Sequence, residues 1–502
     1  MADLSVFSSP LLGIELCLGL ISLLIWRRYC SPLRDIPGPF LASFTRLWHV
    51  GKIFAGDQNL ELIRLHDQHG HFVRIADDEV SVSHLDGIKK LLLAPIPKGY
   101  WYSGTILPDY RFVAPMSVTD PKAKIALSKA LSSGYTLSNI LRSEDAINRN
   151  IELLLGWLDK FSSNNQPMNF DEYLAYTTFD IVGEVIFSKP FGFLTAGYDI
   201  DHSIANSGYL SLFIAFASFY KKLCTLLLTN PVMTWLQILP MGHVYNTAMK
   251  AVDERQKNVD ARFDVVAHWF RTHEKMPKSL TMRNIYAQAT NNVGAGADTV
   301  NCALQSFIYY TIRNPDYYGR MREEIQQAQE QGMCEGKVVT YADAQKLPYL
   351  QACIKEALRF FHPVPMGLPR TAPAGGISIG DRTFPEGTIL SISPWVVHLS
   401  TEIWGEDARE FNPDRWFRED AVELEKKFFI PFGAGYNSCP GHNIAKLEIS
   451  KIAATIVRDY DIRQVDKSQE WKWRANFTLV PHSWPIYVER RVHKSSHASS
   501  DV

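Results

Sequence analysis

The chain has no excess of charge of either sign: 52 basic residues stand against 53 acidic ones. Without a basic stripe or a like-charged tail, nothing points to nucleic acid as a partner. Paired cysteines are also absent. Cys17, Cys30, Cys224, Cys302, Cys334, Cys353 and Cys439 are widely spaced, and none forms a CxxC pair. A zinc site or thioredoxin-like motif therefore has no support. An odd set spread this widely fits a reducing compartment better than a disulfide framework. No internal repeat or low-complexity domain is visible in the 502 residues. Nor does positive charge precede the apolar N-terminal stretch, as it would in a cleaved signal peptide.

What remains is 46% hydrophobic and 12% aromatic, ample for a large buried core. Leu4 to Trp26 is strongly apolar and long enough to span a bilayer. Arg27, Arg28 and Arg34 follow it, so the C-terminal side faces the cytosol by the positive-inside rule. Residues 1–26 read as a transmembrane signal anchor, against the cost of Glu15 at mid-span. Residues 27–56 read as a linker holding Pro37-Gly38-Pro39, a stiff non-helical elbow. Residues 57–490 read as one large body, and 491–502 as a polar tail.

Within the body, helical periodicity is clear over Ala146 to Phe161 and Asn284 to Ile312. Alternation predicts half-buried strands at Phe72 to Ile75 and Val80 to Val82. Further strands are expected at 377–379, 382–384, 388–392, 462–464 and 477–480. The fold class is therefore mainly α with small β-sheets. Lys98 to Val113 reads as an aromatic-rich loop, which packs or touches a substrate. Tyr209 to Leu239 is unusually apolar, but Lys221, Lys222, Asn230 and Pro231 interrupt it as a second span. It reads as a buried helix pair, a channel mouth, or a surface that dips into a membrane.

Four segments carry chemistry. Phe432-Gly433-Ala434-Gly435-Tyr436-Asn437-Ser438-Cys439-Pro440-Gly441 reads as a glycine turn, a thiol and a helix start, with Pro440 suited to the first helical position. A lone cysteine is ordinarily a small buried hydrophobe. At a helix N-terminus, however, its thiolate is favoured by the dipole and free N–H groups. Such a thiolate suits an axial position of haem iron. Glu356 and Arg359 share a helix face, an ordinary surface pair when taken alone. Gly294-Ala295-Gly296-Ala297-Asp298-Thr299 places two glycines inside a helix, each costing about 1 kcal/mol against alanine. Either helix packing or close approach of a flat partner offsets that cost. Thr299 can bond back to the carbonyl of Ala295. Finally, Pro363 to Arg370 is forced by its prolines into an extended path.

Glu356-x-x-Arg359, then Phe411-Asn412-Pro413-Asp414-Arg415-Trp416, then Phe432-Gly433-x-Gly435 with Cys439-Pro440-Gly441 resembles the cytochrome P450 family, in order and over nearly the whole chain. The loop form and the Asp120-Pro121-Lys122 segment are similar to fungal, membrane-anchored members of the pisatin demethylase-like type. The resemblance implies the cytochrome P450 fold behind one N-terminal transmembrane helix. It implies haem b with Cys439 as iron ligand, in a loop shaped by Phe432, Gly433, Gly435 and Gly441. It implies a buried charge network of Glu356, Arg359 and Arg415, and a proton relay through Asp298 and Thr299. Arg370 would pair with a haem propionate, while Val364, Met366 and Leu368 would touch substrate. Two propionate positions depart from the family: Asn437 stands for Arg or His, and Lys124 and Ser128 stand for Trp or His and Arg, with Lys129 adjacent.

The reaction implied is monooxygenation, in which one oxygen atom of dioxygen enters a lipophilic small molecule of fungal secondary metabolism. Electrons would come from NADPH through a separate cytochrome P450 reductase, with Lys426, Lys427 and Lys446 as candidate docking charges. The setting implied is the endoplasmic reticulum membrane, single-pass, with the body cytosolic. The rivals are a haem-thiolate isomerase or dehydratase, against which the Asp298-Thr299 pair argues, and a non-enzymatic haem protein. The sequon Asn476-Phe477-Thr478 is expected to go unused.

Overall fold

A computed structural model describes residues 10–236, 242–258 and 264–491 of the chain. The start of the apolar N-terminal stretch, residues 237–239 of the apolar run, and the polar tail beyond Arg491 lie outside the described residues. The architecture is a helical body with small sheets along one side. The helices that bear on the site are α1 (Pro10–Tyr29), α2 (Gln58–His69), α3 (Pro121–Leu131), α4 (Glu144–Asn164), α5 (Phe170–Phe187), α6 (Ser203–Ala217), α7 (Met282–Ile312), α8 (Pro348–Phe360) and α9 (His442–Asp459), with others between. The main core packs α4, α5, α7, α8 and α9 together, with Leu154, Phe179, Phe307, Leu350 and Ile452 fully buried.

The four-stranded sheet has the order β1 (Phe72–Arg74), β2 (Glu79–Val82), β6 (Ile389–Ile392), β3 (Leu368–Thr371). Only its β2–β6 pairing is parallel. The expected β2 strand is present, but all of it is buried rather than half-buried, because it lies inside this sheet. Two-stranded pairs join β4 (Ile377–Ile379) to β5 (Arg382–Phe384), β7 (Tyr460–Gln464) to β10 (Ile486–Arg490), and β8 (Lys472–Ala475) to β9 (Leu479–His482). The last strand expected at 477–480 thus begins later. Asn476 and Thr478 are buried in the turn before it, so the sequon is closed to modification in the folded chain.

α1 has 20 residues, a length of about 30 Å, and ends in Arg27 and Arg28. Its described apolar side chains, Ile14, Leu18, Leu20, Ile21 and Leu23 among them, are exposed. The other apolar stretch long enough to cross a membrane, Ile200–Leu227, breaks at Ser218–Tyr220 into α6 and the short helix Lys221–Leu227. Segment 27–56 is partly helical, over Leu47–Ala55.

Pro37-Gly38-Pro39 lies flat on β1, where Arg74 N–H donates to the Pro37 carbonyl at 2.8 Å. The Arg74 guanidinium donates to the carbonyls of Arg27 at 3.1 Å and Asp77 at 2.8 Å, tying the end of α1 to the body. A Cβ on Gly38 would stand 2.2 Å from the Arg74 carbonyl oxygen. Gly38→Ala should therefore separate the elbow from β1 and cost about 1–3 kcal/mol, the usual range for forced backbone shifts. Urea unfolding of the body checks this.

Candidate active site

The cysteine loop is built on a buried ion network. Arg359 grips Glu356 with two parallel bonds of 2.9 and 2.7 Å, and Arg415 Nε donates to the same carboxylate at 3.0 Å. None of the three has appreciable exposure. Trp416 Nε1 at 3.1 Å and Asn412 N–H at 2.9 Å complete the carboxylate's partners. The arginines' remaining N–H groups go to the carbonyls of Ala408 and Glu410 from Arg359, and to the carbonyls of Trp404 and Asp407 and the Asp407 carboxylate from Arg415. The network thereby staples α8 to the 404–416 segment that leads into the loop.

In the loop, Gly433 and Gly435 both take left-handed φ values, 66° and 63°. A Cβ on Gly435 would stand 2.4 Å from the Leu92 carbonyl oxygen. The glycines are thus required by backbone conformation and by packing on Leu92, not by closeness to the sulfur. The nearest atom to a Cβ on Gly441 is Cys439 Sγ at 3.8 Å, an ordinary contact. Pro440 is not the first helical residue, since Gly441 caps α9 and His442 begins it.

Cys439 N–H donates to Phe432 O at 2.8 Å, and the backbone N–H groups of Gly441 and His442 point at its sulfur. Those two donors favour a thiolate, but burial outweighs them and holds the thiol above its usual pKa. The thiolate expected from sequence is thus favoured by two N–H donors and opposed by burial, an opposition that a bound metal cation would offset. The sulfur lies deep in the fold.

The opposite element is α7. Ala295 is exposed at the middle of this helix, and Thr299 Oγ1 donates to its carbonyl at 2.7 Å. Gly296 supports the helix-packing explanation, since a Cβ there would press on Val182 of α5 at 3.0 Å, whereas a Cβ on Gly294 would meet only Ser207 Oγ of α6, at an ordinary 3.9 Å. Asp298 Oδ2 accepts a bond from Ser207 Oγ of α6 at 2.9 Å. Burial pushes the Asp298 carboxyl up to about 6, with the Ser207 bond opposing.

A third group was only partly visible in the sequence. Arg370, Lys124 and Lys98 are all buried and close enough to repel one another. Burial and then the neighbouring cations pull Lys98 down to about 7 and Lys124 to about 8, and no carboxylate offsets them. Arg370 Nε and both amide atoms of Asn437 are buried without a partner. Lys124 Nζ donates to the Tyr436 carbonyl, and Lys98 Nζ to that of Pro115 at 2.8 Å. Buried cations with spare donors call for an anion. Two carboxylates fit this cradle, so the residues suit haem propionates. Lys129 is exposed and stands apart. Lys98 escaped the sequence reading because nothing separates it from any lysine opening a loop; its isolated bridge to Arg370 is what places it. Tyr135 was also missed. Its hydroxyl bonds Asn292 and Gln288 of α7, and its carbonyl accepts from Asn443 of α9 at 3.0 Å, joining both sides of the site.

Against α7 lies a cavity lined by Leu107, Met116, Leu210, Ile214, Val293 and Phe477 with a set of polar residues. The aromatic loop enters it through Thr105 and Leu107 rather than through its rings, and Trp101 is buried elsewhere, on Ala215. Val364 and Leu368 are not part of its wall, and Met366 packs with Ile53 and Trp101.

A cysteine whose sulfur receives two backbone N–H groups, beside a buried cationic cradle, defines a candidate haem-thiolate site. Residues 37–489 match the Cytochrome P450 family. Over 91% of this chain and 96% of the relative, the sequence is 32% identical to a cytochrome P450 monooxygenase of Aspergillus terreus. It is 28% identical to pisatin demethylase of Fusarium vanettenii (93% of this chain, 91% of that protein) and to cytochrome P450 monooxygenase hepC of Aspergillus oryzae (90% and 92%). The chain belongs to the cytochrome P450 family, whose cofactor is a haem with a thiolate ligand.

Lys98→Met should weaken haem binding about tenfold to a hundredfold, the range for a charged hydrogen bond, as measured by haem titration of the apoprotein. A lysine with a folded pKa near 7 and an unfolded one near 10.4 binds fewer protons when folded across that interval. Stability of the haem-free protein should therefore be lowest below about pH 7 and rise towards pH 10. Lys98→Met should flatten that rise in denaturant titrations.

Proposed function

We propose that this cytochrome P450 monooxygenase binds haem b between α7 and the Phe432–Gly441 loop, with Cys439 as the iron ligand. Arg370, Lys124, Lys98 and Asn437 would hold the propionates. Bound there, haem supplies the iron at which dioxygen is activated and one oxygen atom is given to the substrate. The observation that carries this reading is the group of buried cations, Lys98, Lys124 and Arg370, with the unpartnered Arg370 Nε and Asn437 amide beside the cysteine loop.

The chain's own residues do the rest. Gly441 and His442 N–H groups stabilise negative charge on Cys439 Sγ. The apolar cavity wall excludes bulk water from the substrate's reacting carbon. Asp298, with a pKa near 6, both takes up and releases a proton near neutral pH. Thr299, its hydroxyl fixed on the Ala295 carbonyl, offers its oxygen lone pairs to a proton or water in the cavity.

Electrons are assigned to NADPH and a separate reductase. The exposed lysines Lys426, Lys427 and Lys446 are offered as its docking charges. The α1 helix, its exposed apolar surface and the arginines at its end support a single-pass anchor in the endoplasmic reticulum membrane. In this reading residues 1–26 are the anchor, 27–56 the linker, 57–490 the cytosolic catalytic domain and 491–502 the tail. The substrate is a lipophilic small molecule of fungal secondary metabolism.

The test is turnover of candidate metabolites with reductase, NADPH and isotopically labelled dioxygen, read by product mass. One labelled atom per product is expected. Product formed without reductase or oxygen would overturn the reading in favour of an isomerase or dehydratase. Asp298→Asn should lower turnover by about 10²–10⁴-fold, the usual weight of a general acid–base group, while substrate binding persists.

A further inference from the structure

The cavity over α7 is not uniformly apolar, and its polar side chains are not equivalent. Most of its hydroxyls have already given their hydrogens to the protein. Ser203 donates to the Ile200 carbonyl at 2.7 Å, Ser207 to Asp298 at 2.9 Å, and Thr290 to the Tyr286 carbonyl at 2.9 Å. Thr105 donates to the Tyr102 carbonyl at 2.8 Å, and Ser211 shares a bond of 3.1 Å with Thr478. Two lining residues differ. Asn206 of α6 and Asn291 of α7 have no hydrogen-bond partner among the described residues. Each presents two N–H donors and a carbonyl acceptor.

These amides stand on two facing elements. Asn206 shares the α6 face of Ser203, Leu210 and Ile214, which lines the cavity. Asn291 lies one turn before Gly294 and Ala295, the open part of α7. When a ligand displaces water from the cavity, an amide left unbonded loses its hydration without replacement, which penalises a pure hydrocarbon. A ligand oxygen on the amide avoids that loss, and a polar site rejects the analogue that lacks the oxygen.

Resting on the monooxygenase reading of this same cavity, we propose that Asn206 and Asn291 select a substrate that is already oxygenated, a largely apolar ring system carrying ketone or hydroxyl oxygens at two separated positions. Asn206 binds one oxygen and Asn291 the other, while Leu107, Met116 and Phe477 enclose the carbon frame. The enzyme then acts after an earlier step that installed those oxygens, as a later oxidation of an oxygenated scaffold.

The experiment is calorimetric titration of the holoprotein with two matched pairs: anthracene against 9,10-anthraquinone, and 5α-androstane against 5α-androstane-3,17-dione. The oxygenated member should bind at least about tenfold more tightly in at least one pair, with about tenfold per amide bond as the scale. Asn206→Leu and Asn291→Leu should each reduce that preference without weakening the hydrocarbon. Equal binding within both pairs, no binding by either ketone, or a preference that survives both substitutions overturns the proposal. Haem content and the thiolate absorption spectrum are recorded on the same samples. A protein with normal haem but no preference sinks this proposal alone, whereas one that takes no haem sinks the underlying function.

Discussion

The site depends on one buried carboxylate. Glu356 has no exposed surface, so its charge is stable only because two arginines, an indole and a backbone amide surround it. The arginines need Glu356 equally. Loss of one partner from such a set costs roughly 3–5 kcal/mol, since the others stay buried and unpaired. The network's value lies in geometry more than in net stability. It permits one position for the 404–416 segment, and so one approach for the chain that carries Cys439.

A second constraint comes from charges left without partners. Arg370, Lys98 and Lys124 crowd one region with no acid among them, and Asn437 adds a buried amide with nothing to bond. A folded protein keeps such a cluster only if something else neutralises it. The departures at 124 and 437 place a buried ammonium and an unpartnered amide in that region, and Lys98 adds a further buried cation. The two halves of the site, loop and helix, are then held in register through Tyr135, which touches both α7 and α9.

Much of this was legible in sequence where the signal was local and ordered. The family resemblance carried by the order of Glu356, Arg359 and Arg415 implied a network that the folded chain brings together, and the Thr299 back-bond followed from its place in a helix. Legibility failed where the answer depended on distant segments. Glycine at 435 looked like room for sulfur but is room for the Leu92 carbonyl, far back in the chain. Gly294 and Gly296 looked alike, and only the position of Val182 separates them. The helix start does bring two N–H donors to the sulfur, but helix-dipole reasoning does not register how much protein surrounds it. Lys98 could not be distinguished from a surface lysine until β3 was placed beside it.

The function proposed above turns on Cys439 as the proximal ligand of a haem. The direct test is the absorption difference spectrum of the reduced protein with carbon monoxide, for the wild type and Cys439→Ser. The wild type should show the thiolate-ligated haem spectrum and the variant should lose it, with the far-ultraviolet circular dichroism unchanged. A thiolate spectrum that survives Cys439→Ser, or a haem-loaded wild type that never shows one, would contradict it.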